Sequence, residues 1–143
     1  MELRKWVYED IYAIAALEKQ CFADAWTFRM LADSFFSENT ITVAAAEGDA
    51  IVGYGFLVVA GEEADLANIA VAAAHRRKGI AEAMLESLES KAKNAGVRQL
   101  FLEVRVSNAA AMSLYLKRGF VGCSVRPRYY GDGEDALVMV KKY

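Results

Sequence analysis

The stretch V-A-A-A-H-R-R-K-G-I-A, residues 71–81, follows an apolar run typical of a strand and opens a helix with an apolar stripe. Its basic residues 76–78 place positive charge at the start of that helix, where the first backbone N–H groups have no partner inside the helix and the helix dipole is positive. Gly79 lets the backbone approach a ligand closely, and Ala81 adds little bulk. The stretch therefore predicts a pyrophosphate site; the alternative is a solvated basic loop before an ordinary helix.

Hydrophobic periodicity, capping residues and turns predict the elements on either side of this stretch. The predicted order is β-α-α-β-β-β-α-β-α-β-β, a mixed α/β (α+β) fold with four helices and a central, mostly antiparallel sheet of six to seven strands. The predicted strands are 2–7, 41–46, 51–59, 64–71, 100–104, 120–125 and 135–141. The predicted helices run from Asp10 to about Cys21, from Thr27 to Phe35, from the basic stretch to Gly96, and from Asn108 to Gly119, with Asp10, Thr27 and Asn108 as N-terminal caps. Because a helix links strand 64–71 to strand 100–104, these two strands are expected to pair in parallel.

Residue spacing predicts where one acidic residue lies on each of two helices. In the first helix, Glu18 falls on a partial apolar stripe with Ile14 and Leu17. In the third helix, Glu89 and Lys93 stand at i and i+4, so they are expected to form an ion pair on the outer side.

The composition is that of a globular chain. Of its 143 residues, 55% are hydrophobic, and 17 Lys and Arg against 19 Asp and Glu give a net charge of −2, so no global charge attracts nucleic acid or an anionic membrane. The two cysteines, Cys21 and Cys123, lack metal-binding spacing, and the longest apolar run, 50–60, is far shorter than the ~20 residues that span a bilayer. We therefore expect one domain over 1–143, in the cytoplasm, with no metal and no nucleic-acid or membrane partner.

Two side chains are candidates for chemistry. On strand 100–104, alternation places Glu103 on the face opposite the leucines, at the C-terminal end of a central strand where ligand crevices form. Asn108 and Tyr115 share one face of the following helix. The structural alternatives are a surface Glu103 paired with Arg105, a helix cap for Asn108, and core packing for Tyr115.

The string L-E-V-R-V-S-N-A-A-A-M-S-L-Y-L-K-R-G-F, residues 102–120, resembles the bacterial ribosomal-protein-alanine N-acetyltransferases and their archaeal relatives, which belong to the GNAT superfamily. Residues 76–81 match the superfamily's R/Q-x-x-G-x-G/A element. Residues 68–71, 25–27 and 128–136 resemble the family's N-I-A-V strand end, its P-W-S/T turn and its N-Y-Y…E-D-A hairpin. Three positions depart from the pattern: Ala25 replaces Pro, Ala81 replaces the commoner Gly, and Glu82 stands where a basic or neutral residue is usual.

The resemblance implies an enzyme that moves the acetyl group of acetyl-CoA to the α-amino group of a protein N-terminus, with Ala of ribosomal protein S18 as the expected acceptor. It implies that Glu103 is the general base, that Tyr115 is the general acid, and that a bulged strand end, at about Ile69 to Val71, offers a free backbone N–H to the oxyanion. The implied cofactor-binding residues are Ile69, Ala70, Val71, Arg76, Arg77, Lys78, Gly79, Ile80, Ala81, Glu82 and Asn108. The implied acceptor-binding residues are Trp26, Tyr129 and Tyr130.

Two other functions remain open on the same fold. One is an acetyltransferase for small-molecule amines, and the other is a non-catalytic module that binds acyl-CoA. The tyrosine pair argues against the first function, although Tyr129 and Tyr130 could instead plug the hairpin against the sheet. Intact Glu103 and Tyr115 argue against the second.

Overall fold

Seven strands form one sheet with helices on both faces. The computed structural model describes all residues, Met1–Tyr143. In chain order the elements are β1 (Glu2–Arg4), α1 (Asp10–Cys21), α2 (Phe28–Phe36), β2 (Thr40–Glu47), β3 (Ala50–Ala60), β4 (Glu63–Val71), α3 (Ile80–Asn94), β5 (Gln99–Arg105), α4 (Ala109–Lys117), β6 (Val121–Arg126) and β7 (Ala136–Lys142), with one turn of 3-10 helix at Ala73–His75. The strand order across the sheet is β1-β2-β3-β4-β5-β7-β6. The predicted element order and fold class are confirmed. None of the four α-helices is long and apolar enough to cross a lipid bilayer.

The centre of the sheet contains its one parallel pair, as predicted. Strands β4 and β5 pair in parallel only at Glu63–Gln99, Ala64–Leu100 and Asp65–Phe101, and every other neighbouring pair is antiparallel. Beyond Asp65 the two strands separate, while β5 stays paired with β7 along its whole length. The sheet therefore opens between the C-terminal halves of β4 and β5.

Two apolar clusters hold the helices on the sheet. Beneath α3 and α4 the buried side chains include Met84, Leu85, Leu88, Leu100, Leu102, Tyr115 and Phe120. Beneath α1 and α2 they include Ile11, Ile14, Leu17, Leu31, Tyr54 and Phe56. Fully burying one side chain of this size contributes roughly 1.5–3 kcal/mol to the free energy of folding. The two clusters therefore fix the positions of the strands that border the opening.

Two of the three predicted helix caps are confirmed. The Thr27 hydroxyl accepts a hydrogen bond from the N–H of Met30 at 3.2 Å, and the Asn108 side chain accepts one from Ala111 at 3.1 Å. The prediction for Asp10 is wrong, because the cap residue is Glu9 and Asp10 lies in the first turn of α1.

The carboxylate of Asp10 serves the N-terminal loop instead. It accepts hydrogen bonds from Arg4 at 2.6 Å and from the N–H of Val7 at 2.7 Å. The first strand is shorter than the predicted 2–7, because backbone pairing with β2 ends at Arg4 and the N–H of Trp6 donates to the side-chain hydroxyl of Thr42 in β2 rather than to a backbone carbonyl.

Candidate active site

A cleft of about 1300 Å³ occupies the opening between β4 and β5. Its walls come from the α1–α2 loop, β4, the start of α3, β5, α4 and the β6–β7 connection. All of the site residues predicted from sequence line this cleft except Lys78, which is exposed and lies outside the lining. The fold therefore gathers into one cavity residues that are up to about a hundred positions apart in the chain.

The start of α3 forms one end of the cleft. Gly79 is the N-terminal cap residue, with a φ of 78°, and no side chain caps the first-turn N–H groups. A Cβ atom placed on Gly79 would meet no heavy atom within 4 Å, so the glycine faces open space. Arg77 also has a positive φ, of 63°, and Glu82 of the first turn is held by Lys117 at 3.0 Å. Uncapped N–H groups and basic side chains facing a cavity suit an anionic ligand such as a pyrophosphate.

A β-bulge lies in β4 at the edge of the cleft. Asn68 pairs with Phe56 and Leu66 pairs with Leu57, so Ala67 is the extra residue. The bulge therefore lies two residues before Ile69, the first of the residues expected to offer a free N–H. Because a bulge bends its strand and increases its twist, Ala67 marks the point where β4 turns away from β5.

The strand segment after the bulge offers free backbone groups to the cleft. The N–H of Ala72 donates to the carbonyl of Val52 at 2.8 Å, and alternation along an antiparallel pair then turns the N–H groups of Ile69 and Val71 away from β3. On that side β5 is no longer paired with β4. Arg76 donates to the carbonyl of Val71 at 3.0 Å, which joins the basic turn to the same edge.

Glu103 points into the cleft from β5, between the buried Leu102 and Val104. The predicted alternation along this strand is confirmed. Its side chain is 25% exposed, and its Oε1 lies 3.3 Å from Nε of Arg126, so the structural alternative of a surface Glu103 paired with Arg105 is wrong. Burial raises the pKa of Glu103 and Asp65 adds to this, while Arg126 lowers it; the net result is a raised pKa.

Tyr115 lines the same cleft from α4. It is 6% exposed and its ring packs edge-on against Phe120 at 5.8 Å between centroids, so the core-packing alternative is correct as far as the ring is concerned. Burial raises the pKa of its hydroxyl above the ordinary value, with a smaller effect from Tyr130 and none from a hydrogen bond. The hydroxyl therefore carries a proton and is available for donation into the cleft that the residue lines.

Aromatic side chains surround the other end of the cleft. Trp26 packs edge-on against Phe56 at 5.1 Å, and the rings of Tyr129 and Tyr130 lie 5.0 Å apart at 88°. Tyr129 is 49% exposed, so this ring does not plug the hairpin against the sheet. Tyr130 lies beneath the guanidinium of Arg105, 4.0 Å from its ring centroid.

Arg105 is the centre of a charge cluster that sequence reasoning missed. It contacts Asp132 at 2.8 Å, Glu134 at 2.9 Å and Asp24 at 3.7 Å. The N–H of Gly131 also donates to Asp24, at 3.0 Å. These contacts join the β6–β7 connection to the α1–α2 loop across the mouth of the cleft. The only signal in the sequence was the acidic run around 132–135.

A second missed group lies behind the cleft wall. Glu18 is fully buried and accepts hydrogen bonds from the Tyr54 hydroxyl, from Nδ2 of Asn68 at 2.6 Å and from the N–H of Trp26 at 3.0 Å. Burial raises the pKa of the Tyr54 hydroxyl, and its hydrogen bond to Glu18 raises that pKa further. Tyr54 therefore keeps its proton and acts as the donor. A glutamate within an apolar helix stripe was the signal that such a site exists.

Several known proteins resemble this chain in sequence and in structure. The sequence pattern of the acetyltransferase (GNAT) family matches residues 9–120. The [ribosomal protein bS18]-alanine N-acetyltransferase of Escherichia coli (strain K12) is 35% identical over 133 residues, which are 91% of this chain and 89% of that protein. An N-alpha-acetyltransferase of Saccharolobus solfataricus is 45% identical over 75 residues, which are 52% of this chain and 45% of that protein. The crystal structure of the ribosomal-protein-S18-alanine N-acetyltransferase from Escherichia coli superposes with a TM-score of 0.91 at 32% identity, covering 99% of this chain and 92% of that chain.

Proposed function

The chain belongs to the acetyltransferase (GNAT) family and is an N-acetyltransferase, and we propose that it transfers the acetyl group of acetyl-CoA to the α-amino group of a protein N-terminus. The acceptor that we propose first is the Ala N-terminus of ribosomal protein S18, because the Escherichia coli relative, which matches most of the chain, is named for that protein. An acceptor of this kind would make the reaction cytoplasmic.

One observation carries the proposal: Glu103 of β5 and Tyr115 of α4 line the same cleft, and the uncapped start of α3 lines it too. We propose that the first-turn N–H groups of α3, with Arg76 and Arg77, hold the pyrophosphate of acetyl-CoA. The edge of β4 would then hold the rest of the cofactor, since its free N–H groups lead from that turn towards Glu103.

The proposed role of Glu103 is to accept a proton from the acceptor amine. An amine attacks a thioester only when it is neutral, and an α-amino group has a pKa near ~8, against ~10.4 for a lysine side chain. A carboxylate whose pKa is raised by burial is a stronger base than an exposed carboxylate. It can take a proton more readily from an α-ammonium group than from the more basic lysine ammonium group. This difference favours an N-terminus over a lysine as acceptor.

The remaining steps use a donor on each side of the reacting carbonyl. We propose that the N–H of Ile69 or Val71 donates to the carbonyl oxygen as it gains negative charge, since both groups face the cleft edge of β4. The protonated hydroxyl of Tyr115 would then supply a proton to the departing thiolate. No covalent intermediate on the protein is needed in this scheme, so Cys21 has no role in it although it lines the cleft.

The acceptor is proposed to enter between the α1–α2 loop and the β6–β7 connection. Trp26, Tyr129 and Tyr130 would contact its first residues, and the Arg105 cluster would hold the two loops at a fixed separation. A slot of this kind suits an extended peptide better than a compact small molecule, which supports the protein acceptor over the small-molecule alternative.

A peptide panel tests the proposal. The purified protein is incubated with acetyl-CoA and an Ala-first peptide, with the same peptide carrying a formylated α-amino group, with spermidine, or with no acceptor, and CoA release and peptide mass are measured. We expect acetylation of the free Ala-first peptide only. Faster turnover with spermidine would favour a small-molecule acetyltransferase, and acetyl-CoA binding without any turnover would indicate a binding module.

A further inference from the structure

Arg126 is the last residue of β6, the edge strand of the sheet, and all six residues of that strand are exposed. Its side chain is itself 57% exposed, yet it reaches past β7 to place Nε 3.3 Å from Oε1 of Glu103. Its guanidinium also lies 5.8 Å from the ring centroid of Tyr129, at the acceptor end of the cleft. A flexible basic side chain therefore spans the space between the proposed base and the proposed acceptor slot.

The other charged and titratable groups near Glu103 do not replace this contact. Asp65 faces it from β4 and Tyr130 from the β6–β7 connection, and neither is a cation. Arg105 lies two residues away on β5, but its guanidinium is engaged by Asp24, Asp132 and Glu134. Arg126 is thus the cation that is free to pair with Glu103.

We propose that Arg126 is a positioning residue for the proposed acetyl transfer: in the resting enzyme it keeps the carboxylate of Glu103 ionised and aimed into the cleft, in the place that the acceptor ammonium later takes. The proposal rests on the proposed function of Glu103 as base. An ion pair at this distance favours the ionised form of Glu103. Burial of Glu103 and the nearby charge of Asp65 act in the opposite direction and favour the protonated form. Because the arginine is exposed on an edge strand, it can give way to an arriving amine without disturbing the core.

The decisive measurement is the titration of Glu103 itself. The ¹³C NMR signal of its carboxyl group is recorded as a function of pH in the protein without acetyl-CoA or peptide. Arg126→Gln should move the titration midpoint of Glu103 to higher pH, because it removes the group that favours the ionised form. Arg126→Lys should keep the midpoint near that of the wild type. Arg128→Gln is the matched control, since it removes the same charge from the same hairpin at a residue that makes no contact with Glu103.

The kinetic arm uses the same variants with an Ala-first peptide. The acidic side of the pH profile of kcat/KM reports groups of the free enzyme and of the free peptide. The peptide is the same for every variant, so the limb that belongs to the enzyme should move to higher pH in Arg126→Gln and stay in place in Arg128→Gln. A titration that superimposes on the wild type in Arg126→Gln, or that moves equally in Arg128→Gln, would overturn the proposal, and so would a shifted titration with an unmoved kinetic limb. If the wild type acetylates no peptide, the proposed function fails, while the substrate-free titration still confirms or refutes the control of Glu103 by Arg126.

Discussion

Nδ2 of Asn68 lies 2.6 Å from Oε1 of Glu18, so a fully buried carboxylate in α1 is bonded to β4 one residue after its bulge. The same carboxylate accepts from Tyr54 of β3 and from the backbone of Trp26 in the α1–α2 loop. None of its three donors is charged, so hydrogen bonds alone hold this buried carboxyl group. This one side chain links the bulge that opens the cleft to the loop that borders the acceptor slot.

We expect Glu18→Gln to destabilise the protein by about 1–3 kcal/mol, because the amide N–H₂ would face a donor and leave it unsatisfied in the interior. Urea unfolding followed by circular dichroism measures the change. Glu38→Gln is the control, since it makes the same chemical change at an exposed residue and should alter stability by less than about 0.5 kcal/mol. Equal stability of the two variants would mean that the three hydrogen bonds do not contribute as described.

The glycine at the start of α3 provides a test of the cofactor site. Gly79→Glu places bulk and negative charge where the pyrophosphate is proposed to lie, so acetyl-CoA affinity should fall more than tenfold, which corresponds to over ~1.4 kcal/mol. Isothermal titration calorimetry measures the affinity. Gly96→Glu is the matched control: Gly96 has a similar positive φ, 90° against 78°, and also faces open space, but it lies at the other end of α3.

The two glycine variants share the backbone strain of a non-glycine residue at positive φ, so a comparable loss of stability is expected in both. Only the variant at position 79 should lose affinity. An unchanged Kd for Gly79→Glu in a folded protein would mean that the pyrophosphate binds elsewhere.

Features set by neighbouring residues were predictable from the sequence. Gly96 was expected at the end of α3, and it occupies the left-handed position there, with its N–H donating to Lys93 and the N–H of Val97 donating to Ala92, each at 3.0 Å. The alternation that turns Glu103 into the cleft is equally local, because successive side chains of any strand face opposite sides.

Features set by distant residues were not predictable. The expected pair of Glu89 with Lys93 is wrong: Glu89 is 3% exposed and binds Arg118, Lys141 and Tyr143, which come from the end of α4, from β7 and from the C-terminus. The spacing i, i+4 predicts only that two side chains can meet. Which of them is buried depends on tertiary packing, and the same reason explains the missed contacts of Glu18, Arg105 and Arg126.

The base can be tested by one isosteric change. Glu103→Gln keeps the shape of the side chain and removes its basicity, so kcat with an Ala-first peptide should fall by about 10²–10⁴ while acetyl-CoA binding persists. Because burial raises the pKa of Glu103, the wild-type rate should fall as the pH drops through a value above that of an ordinary glutamate, and this limb should be lost in the variant. Glu62→Gln, at an exposed turn, serves as control. A kcat within about threefold of the wild type would assign the base to another group.

Tyr115 permits a separation of catalysis from packing. The ring contacts Phe120 in the core, whereas no hydrogen bond of the hydroxyl affects its pKa, and the residue is one of those that line the cleft. Tyr115→Phe keeps the ring, so the free energy of unfolding should change by at most ~1 kcal/mol. The kcat should fall much more than acetyl-CoA affinity, because the proton donated by the hydroxyl is needed mainly as the thiolate departs. The loss should be partial, since a thiolate also leaves unaided at some rate. Thermal unfolding, calorimetry and initial rates on one preparation give all three quantities, and a lowered melting temperature with a near-normal kcat would restrict Tyr115 to packing.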